Sequence, residues 1–284
     1  MTDKKLMTEL SSEVLEKLQN TQIEILKEIV RICEKHELKY FLIYGTLLGA
    51  IRHNGFIPWD DDLDIGMPRG DYKKFLEIAK AELSDSYFLQ NMETQKDYWL
   101  TFSKVRKNNT IFEEEAVVNM PDYIHKGIFV DVFPLDYVEK KEGTLVHIQF
   151  VLSKAIIETL YYKAGVYKKS SLRYPVIDFV LGMFSKKTLG KIQTKIATLQ
   201  KRKKATCFAD FNSPRAYEKA IYPIEYFMPP QGHEFAGETF QVPNTYDTYL
   251  RMVYGDYMQL PKEEDRVNHR TLRIVFDTMQ ENGR

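Results

Sequence analysis

Between residues 60 and 64 the chain sets four carboxylates in five positions, Asp60, Asp61, Asp62 and Asp64. Like charges this close repel one another, and holding them together is costly without a cation. The alternation Asp62-Leu63-Asp64-Ile65 fits a β-strand, in which successive side chains point to opposite faces. Leu63 and Ile65 then enter a core while Asp62 and Asp64 project together. Two oxygen donors facing one point suit Mg²⁺ or Mn²⁺, hard ions that take carboxylates along with phosphate oxygens and water. A solvated acidic loop or a calcium site is the alternative reading of the same residues.

The flanking sequence predicts mixed helix and strand. Residues 9–37 place Leu10, Val14, Leu18, Leu26, Ile29 and Cys33 along one stripe of an amphipathic helix. Residues 40–44 (YFLIY) read as a short buried strand ended by Gly45, and residues 47–52 as the start of a helix. Asn54-Gly55 and Pro58 make residues 53–61 a loop. A turn at Pro68-Arg69-Gly70, a helix over 71–83 and strands over 98–105 and 127–133 follow, the last stopped by Pro134. Near the end come a strand over 238–242, a helix capped by Asn244 and ended by Gly255, and a final helix near 263–276.

Several residues beside the acid pair are candidates for phosphate chemistry. Gly45 permits close backbone approach, and Thr46 with the first N–H groups of a helix can hold a phosphate. Asp131 interrupts an apolar strand, on the face of Phe129 and Phe133, where an uncompensated carboxylate is costly. A metal, a proton taken from an acceptor hydroxyl, or an ion pair with Lys104 or Arg106 would compensate it. Lys104 and Arg106, two apart on one strand face, can neutralise charge on a phosphoryl group or simply meet solvent. Arg52 and His53, just ahead of the acid loop, are further candidates for phosphate contact, although His53 also suits a plain loop position.

Composition narrows the function classes. The 284 residues carry 40 basic and 40 acidic side chains and are 44% hydrophobic, which excludes wholesale disorder and a globally basic nucleic-acid binder. Two distant cysteines, Cys33 and Cys207, supply neither a disulfide scaffold nor a zinc site. The first 18 residues mix acids and bases and do not read as a signal peptide. The apolar stretches 145–162 and 176–184 are interrupted by His147, Lys154 and Glu158 or too short to span a bilayer, so a cytoplasmic location is expected.

The charge is unevenly spread. Residues 140–204, helical in periodicity, hold 15 Lys and Arg against 3 Asp and Glu, while the remainder holds 25 against 37. The expected organisation is a catalytic core with its N-terminal helix over 1–139, a basic helical insertion over 140–204, and a C-terminal segment over 205–284 that packs on the core. The insertion can dock peripherally on anionic membrane or a phosphate-rich polymer at the inner face of the cell membrane, or it can be a solvated helical surface.

Three motifs in order, YGTLLGAIRHNGFIPWDDDLDIGM (44–67), GIFVDVFPLD (127–136) and FAGETFQVPNTYDTYLRMVYGDYMQLP (235–261), resemble the LicD family. The family is similar to nucleotidyltransferases and includes bacterial phosphocholine transferases and the fukutin-related ribitol-phosphate transferases. The resemblance implies an α+β (mixed α/β) fold with a nucleotidyltransferase-like core, a small mixed sheet flanked by helices. It also implies transfer of phosphocholine from CDP-choline to a sugar hydroxyl of a cell-surface glycopolymer precursor, of teichoic acid or lipooligosaccharide type, with release of CMP. Nucleotidyl transfer, another alcohol-phosphate transfer such as ribitol phosphate, and a catalytically silent module that binds nucleotides or phosphoglycans are the alternatives.

Carried over residue by residue, the family's metal pair falls on Asp62 and Asp64 and its third acid on Asp131. Gly45 and Thr46 stand where the superfamily has Gly-Ser. The longer gap from Gly45 to Asp62 makes Asp60 a competitor for one ligand position, and residues 260–264 read LPKEE where a second proline is expected. A choline group calls for an aromatic cage, for which Trp59, Tyr246, Tyr249, Tyr254 and Tyr257 are candidate walls.

Overall fold

The computed structural model describes residues 10–117, 120–166, 175–262, 266 and 271–277. In chain order the elements are α1 (Ser12–Lys35), β1 (Phe41–Leu42), α2 (Tyr44–His53), β2 (Asp64–Pro68), α3 (Arg69–Glu82), β3 (Tyr87–Gln90), β4 (Ser103–Lys107), β5 (Ile111–Glu114) and β6 (Phe129–Val138). They continue with α4 (Thr144–Lys163), α5 (Pro175–Gly182), α6 (Lys186–Ala197), β7 (Cys207–Ala209), β8 (Ile221–Pro223), β9 (Gln231–Phe235), β10 (Glu238–Val242), α7 (Tyr246–Tyr254) and β11 (Thr271–Val275). The fold is α+β, as the sequence leads one to expect.

The central sheet runs β1-β2-β6-β4-β3, with β7 and then β8 added along the second half of β6. Only β2 and β6 are parallel within it; its other pairs are antiparallel. The amphipathic stripe of α1 buries Leu18, Ile25, Leu26, Ile29 and Cys33 in the main core. Ser11 caps this helix by accepting the Val14 N–H at 3.3 Å. A separate cluster of Tyr98, Trp99, Leu100, Val117, Met120 and Ile124 lies beside β4, and α4 packs on α6 over its own small core.

The structure departs from the sequence reading at six places. The strand expected over 40–44 is confined to Phe41–Leu42, and α2 already begins at Tyr44. Pro134 does not stop β6, which runs on to Val138. Asp131 donates its N–H to Leu63 O on the β2 side, so by alternation the proline nitrogen faces the other side, between the end of the β4 ladder at Val132 and the start of the β7 ladder at Asp136. No hydrogen bond is lost there. Pro68 is the last residue of β2 and α3 begins at once at Arg69, so the expected turn is absent. Strand β4 starts at Ser103, because residues 98–100 turn their side chains into the separate aromatic cluster. Asn244 is exposed and Thr245 stands at the N-cap of α7. Residues 271–275, expected as helix, form β11 instead, where an Ile-Val pair lies against β5; residues 263–265 and 267–270 of that expectation lie outside the described residues.

Candidate active site

The parallel pairing of β2 and β6 sets Asp64 and Asp131 as register partners, and the antiparallel pairing of β4 sets Lys104 opposite Asp131 on its other side. Lys104 Nζ lies 2.6 and 2.9 Å from the two Asp131 carboxylate oxygens. Thr46 fixes the start of β2 by accepting the Asp64 N–H at 2.8 Å. The acidic segment just before it is tied to α1: Gln19 and Gln22, one turn apart, donate to the carbonyls of Asp60 at 2.9 Å and Asp61 at 2.8 Å. Thr271 also donates to the Asp61 carboxylate at 3.3 Å, which turns Asp61 into the protein. A Cβ on Gly45 would lie 2.8 Å from Asp60 Oδ2, so the glycine lets the Asp60 carboxylate keep its present place.

Asp60, Asp62, Asp64 and Asp131 line one cleft of about 570 Å³. Burial pushes the Asp131 carboxyl up to about 6; Lys104 opposes the rise and the Asp62 charge adds to it. Tyr254 in the same cleft is pushed up to about 12, mostly by burial, with Arg215 opposing and Asp64, Asp60 and Asp62 adding. The acids thus act on shared neighbours.

The facing wall comes from segments that sequence reasoning did not assign to the site. Helix α4 presents Lys154, Ile157, Glu158 and Tyr161 to the cleft, the spacing of one helical stripe. Lys154 donates to the Ser213 carbonyl, which ties α4 to the loop bearing Arg215. The Arg215 guanidinium stands 4.3 Å from the Tyr44 ring centre and 5.2 Å from that of Tyr254, and it donates to the Tyr254 hydroxyl at 2.9 Å. Tyr44 has φ +51, an unusual value for a bulky residue, at the first position of α2. Its hydroxyl donates to buried Asp210, so tertiary contacts hold this strained residue directly before Gly45. Tyr98, Trp99, Phe102, Phe129 and Phe133 supply aromatic wall.

Of the residues expected from the sequence, Gly45, Asp60, Asp62, Asp64, Lys104, Arg106, Asp131 and Tyr254 line this cleft. Arg106 is turned to Gln90 and the Gly127 carbonyl, both at 2.5 Å, and stacks on Phe129 at 4.7 Å. The others sit elsewhere. Thr46 is 1% exposed and spends its hydroxyl on β2. Arg52 donates to the Tyr257 carbonyl at 2.7 Å and to His53 at 3.0 Å, at the far end of α2. Trp59 lies under Arg266 at 4.6 Å, Tyr246 meets His233, Tyr249 is core beside Tyr222 and Phe227, and Tyr257 donates to Asp247.

Among the described residues no three His, Cys, Asp or Glu side chains stand as a ready-made metal cluster. The donor chemistry nonetheless suits a hard dication: four aspartates line one cleft, and one of them, Asp131, is raised by burial and by the Asp62 charge. Asp131 makes the ion pair with Lys104 that the sequence left open as an alternative.

Comparison with known proteins agrees with the motif resemblance. The family model described as LicD/FKTN/FKRP, nucleotidyltransferase domain, matches residues 37–162. A lipopolysaccharide cholinephosphotransferase, LicD, of Haemophilus influenzae is 31% identical over 255 residues, covering 87% of this chain and 92% of that protein. An uncharacterised protein of Rickettsia typhi is 46% identical over 55 residues, 19% of this chain and 18% of its own. Mouse ribitol 5-phosphate transferase FKRP is 37% identical over 59 residues, 21% of this chain and 12% of its own. With one relative aligned across nearly its whole length, and a row of acids on adjacent strands at the heart of the matched region, this chain belongs to the LicD family.

Proposed function

We propose that this chain transfers phosphocholine from CDP-choline to a sugar hydroxyl of a glycan precursor, of lipopolysaccharide or teichoic acid type, and releases CMP. The observation that carries the reading is the meeting of Asp60, Asp62, Asp64 and Asp131 with Lys104, Lys154 and Arg215 in one cleft. Fixed cations beside clustered carboxylates are what a pyrophosphate donor needs. The near full-length likeness to a cholinephosphotransferase supports choline over ribitol, whose transferase matches only a fifth of the chain.

In the reaction an acceptor oxygen attacks the phosphorus that bears choline, and the bond from that phosphorus to the CMP oxygen breaks. Arg215, flattened against Tyr44 and Tyr254, offers a rigid fork to phosphate oxygens, and Lys104 and Lys154 add positive charge. Asp131 is our candidate for the carboxylate that receives the acceptor proton. Asp62 and Asp64, with Asp131 and Asp60 beside them, would hold Mg²⁺ or Mn²⁺, which when bound neutralises charge on the diphosphate and on departing CMP. We read residues 1–139, 140–204 and 205–284 as core, basic insertion and C-terminal segment of one catalytic unit, since α4 and Arg215 both reach the cleft.

No helix among the described residues is long and apolar enough to cross a membrane. We place the reaction at the cytoplasmic face, on an acceptor carried by lipid, with the insertion docked on the surface. Helix α5 and the residues after it expose Phe179, Val180, Met183 and Phe184, next to Lys186 and Lys187. An apolar tip followed in sequence by two lysines suits anionic lipid.

Incubation with CDP-choline, Mg²⁺ and candidate acceptors, alongside Asp62→Asn and Asp131→Asn, tests the reading. CMP release by the wild type and its loss in both variants is the expected result. Turnover that survives both substitutions removes the acids from the chemistry, and pyrophosphate release from a nucleoside triphosphate would make the chain a nucleotidyltransferase. A folded wild type that binds cytidine nucleotides without turnover would be a silent binding module.

A further inference from the structure

The basic insertion holds only three acids among its 65 residues, Glu142, Glu158 and Asp178, and Glu158 is turned toward the cleft. It sits four residues after Lys154 on the same stripe of α4, about 6 Å further along the helix. Lys154 is bound to the loop that carries Arg215, so the cationic end of the stripe lies with the cations expected to hold phosphate. The stripe then continues from carboxylate to aromatic ring. Tyr161, one turn on, packs against the cluster of Tyr98, Trp99 and Leu100. The Tyr98 and Trp99 rings lie 5.8 Å apart at 44°, and Phe102 closes the same wall. Tyr98 lines the cleft while its hydroxyl is buried, so its ring is what it can offer a guest.

Resting on the transfer reading above, we infer that Glu158 and Tyr161, with Tyr98, Trp99 and Phe102, form the site for the quaternary ammonium of the transferred alcohol. The order of charges along α4, Lys154 then Glu158, is the complement of a phosphate joined by a two-carbon spacer to a trimethylammonium. A quaternary ammonium has no N–H to donate, so it is recognised by ring faces and a nearby carboxylate rather than by hydrogen bonds. Aromatic faces together with Glu158 supply both. Of the cage expected at Trp59, Tyr246, Tyr249, Tyr254 and Tyr257, Tyr254 lines the cleft and is tied to Arg215, while the other four do not line it.

Titration calorimetry of the full chain with phosphocholine, phosphoethanolamine and CMP as separate probes tests the site. Wild type is expected to bind phosphocholine more tightly than phosphoethanolamine. Glu158→Gln and Tyr161→Leu are each expected to weaken phosphocholine by about 2- to 30-fold, with CMP affinity unchanged as the control for folding. Equal binding of the two phosphoalcohols by wild type, or phosphocholine affinity untouched in both variants, overturns the assignment. Absence of CMP binding to wild type would instead count against the transfer reading, while loss of phosphocholine in the variants would still uphold the ammonium site. Should Tyr161→Leu weaken CMP as well, Glu158→Gln alone decides, because it changes one charge at constant size.

Discussion

Asp64 and Asp131 sit side by side as register partners on parallel strands, and a buried lysine, Lys104, faces Asp131 from the next strand. Asp131→Asn leaves the Lys104 ammonium buried without its carboxylate and is expected to cost about 3–5 kcal/mol in urea unfolding. Asp64→Asn removes a carboxylate from the acid row while the backbone bond to Thr46 persists. Both variants are expected to lose at least about 100-fold in transfer rate, measured as CMP release. Unchanged stability of Asp131→Asn would contradict the Lys104 pairing described.

Gly45 and Gly49, four residues apart on α2, separate fold from site. A methyl on Gly49 would strike the backbone oxygen of Gly55 and press on Ile57, neither of which can swing aside. Gly49→Ala is expected to cost about 1–3 kcal/mol. At Gly45 the obstacle is the tip of the Asp60 side chain, which can turn away. Gly45→Ala is expected to keep the melting temperature within a degree or two while lowering activity, and a large drop in melting temperature would refute this.

Much of the acid site was legible because its signal is local. The alternation of Asp62 and Asp64 with core residues and the lone Asp131 in an apolar strand each follow from strand geometry read within a few residues. What brings Asp131 beside Asp64 is the parallel pairing of β2 with β6, a long-range choice that spacing does not encode. Arg215 was not legible: a single arginine after Ser213-Pro214 carries no local pattern, and its place depends on Tyr44 and Tyr254 from two distant helices. Lys154 and Glu158 were visible as charges that break an apolar run. Their function lies in facing the same way from α4, which became clear only once the cleft was seen. Thr46 and Tyr249 misled for one reason, since both residue types serve equally well inside a core.

Arg215→Lys preserves charge and discards shape. The guanidinium is stacked by two tyrosines and hydrogen-bonded to one of them, an arrangement that an ammonium on a flexible stem does not reproduce. A charged hydrogen bond lost to phosphate is worth about 1.5–3 kcal/mol. Transfer kcat/KM is therefore expected to fall about 10- to 100-fold with little change in thermal stability. Wild-type kinetics in Arg215→Lys would show that charge alone suffices there.

His125 makes stability depend on mildly acid pH. Its Nδ1 accepts the Gly127 N–H at 3.0 Å, so Nε2 carries the hydrogen and donates to Asn108 at 2.9 Å, while the ring stacks on Phe88 at 5.2 Å. Burial, and secondarily the charge of Arg106, pushes its pKa from 6.5 down to about 4. The unfolded chain binds this proton near pH 6.5, whereas the folded chain refuses it until about pH 4. The contribution is thus complete above 6.5, is lost as pH falls between the two values, and is level below, with a slope of at most about 1.4 kcal/mol per pH unit. Denaturant midpoints at pH 7, 5.5 and 4 are expected to fall less steeply in His125→Asn, which keeps an acceptor for Gly127 without a titrating ring. An unchanged slope would assign the pH dependence to other groups.

Membrane docking turns on the exposed apolar side chains around α5. Phe179 near the end of α5 and Met183 just past it are 73% and 68% exposed, and Lys163 reaches the Gly182 carbonyl between them at 2.8 Å. Greasy tips in water are costly unless they enter something apolar, and the neighbouring lysines add about 1 kcal/mol each near an anionic surface. Wild type is expected to cosediment with phosphatidylglycerol-containing vesicles, weakly with neutral phosphatidylcholine vesicles, and less as salt rises. A Phe179→Ser, Met183→Ser double variant removes the inserted part and leaves the lysines. It is expected to lose binding at physiological salt while keeping some at low salt, where charge alone acts over longer distances. Activity on a water-soluble acceptor should not change, because neither residue lines the cleft. Vesicle binding by the double variant equal to wild type at all salts would show that this face meets something other than lipid.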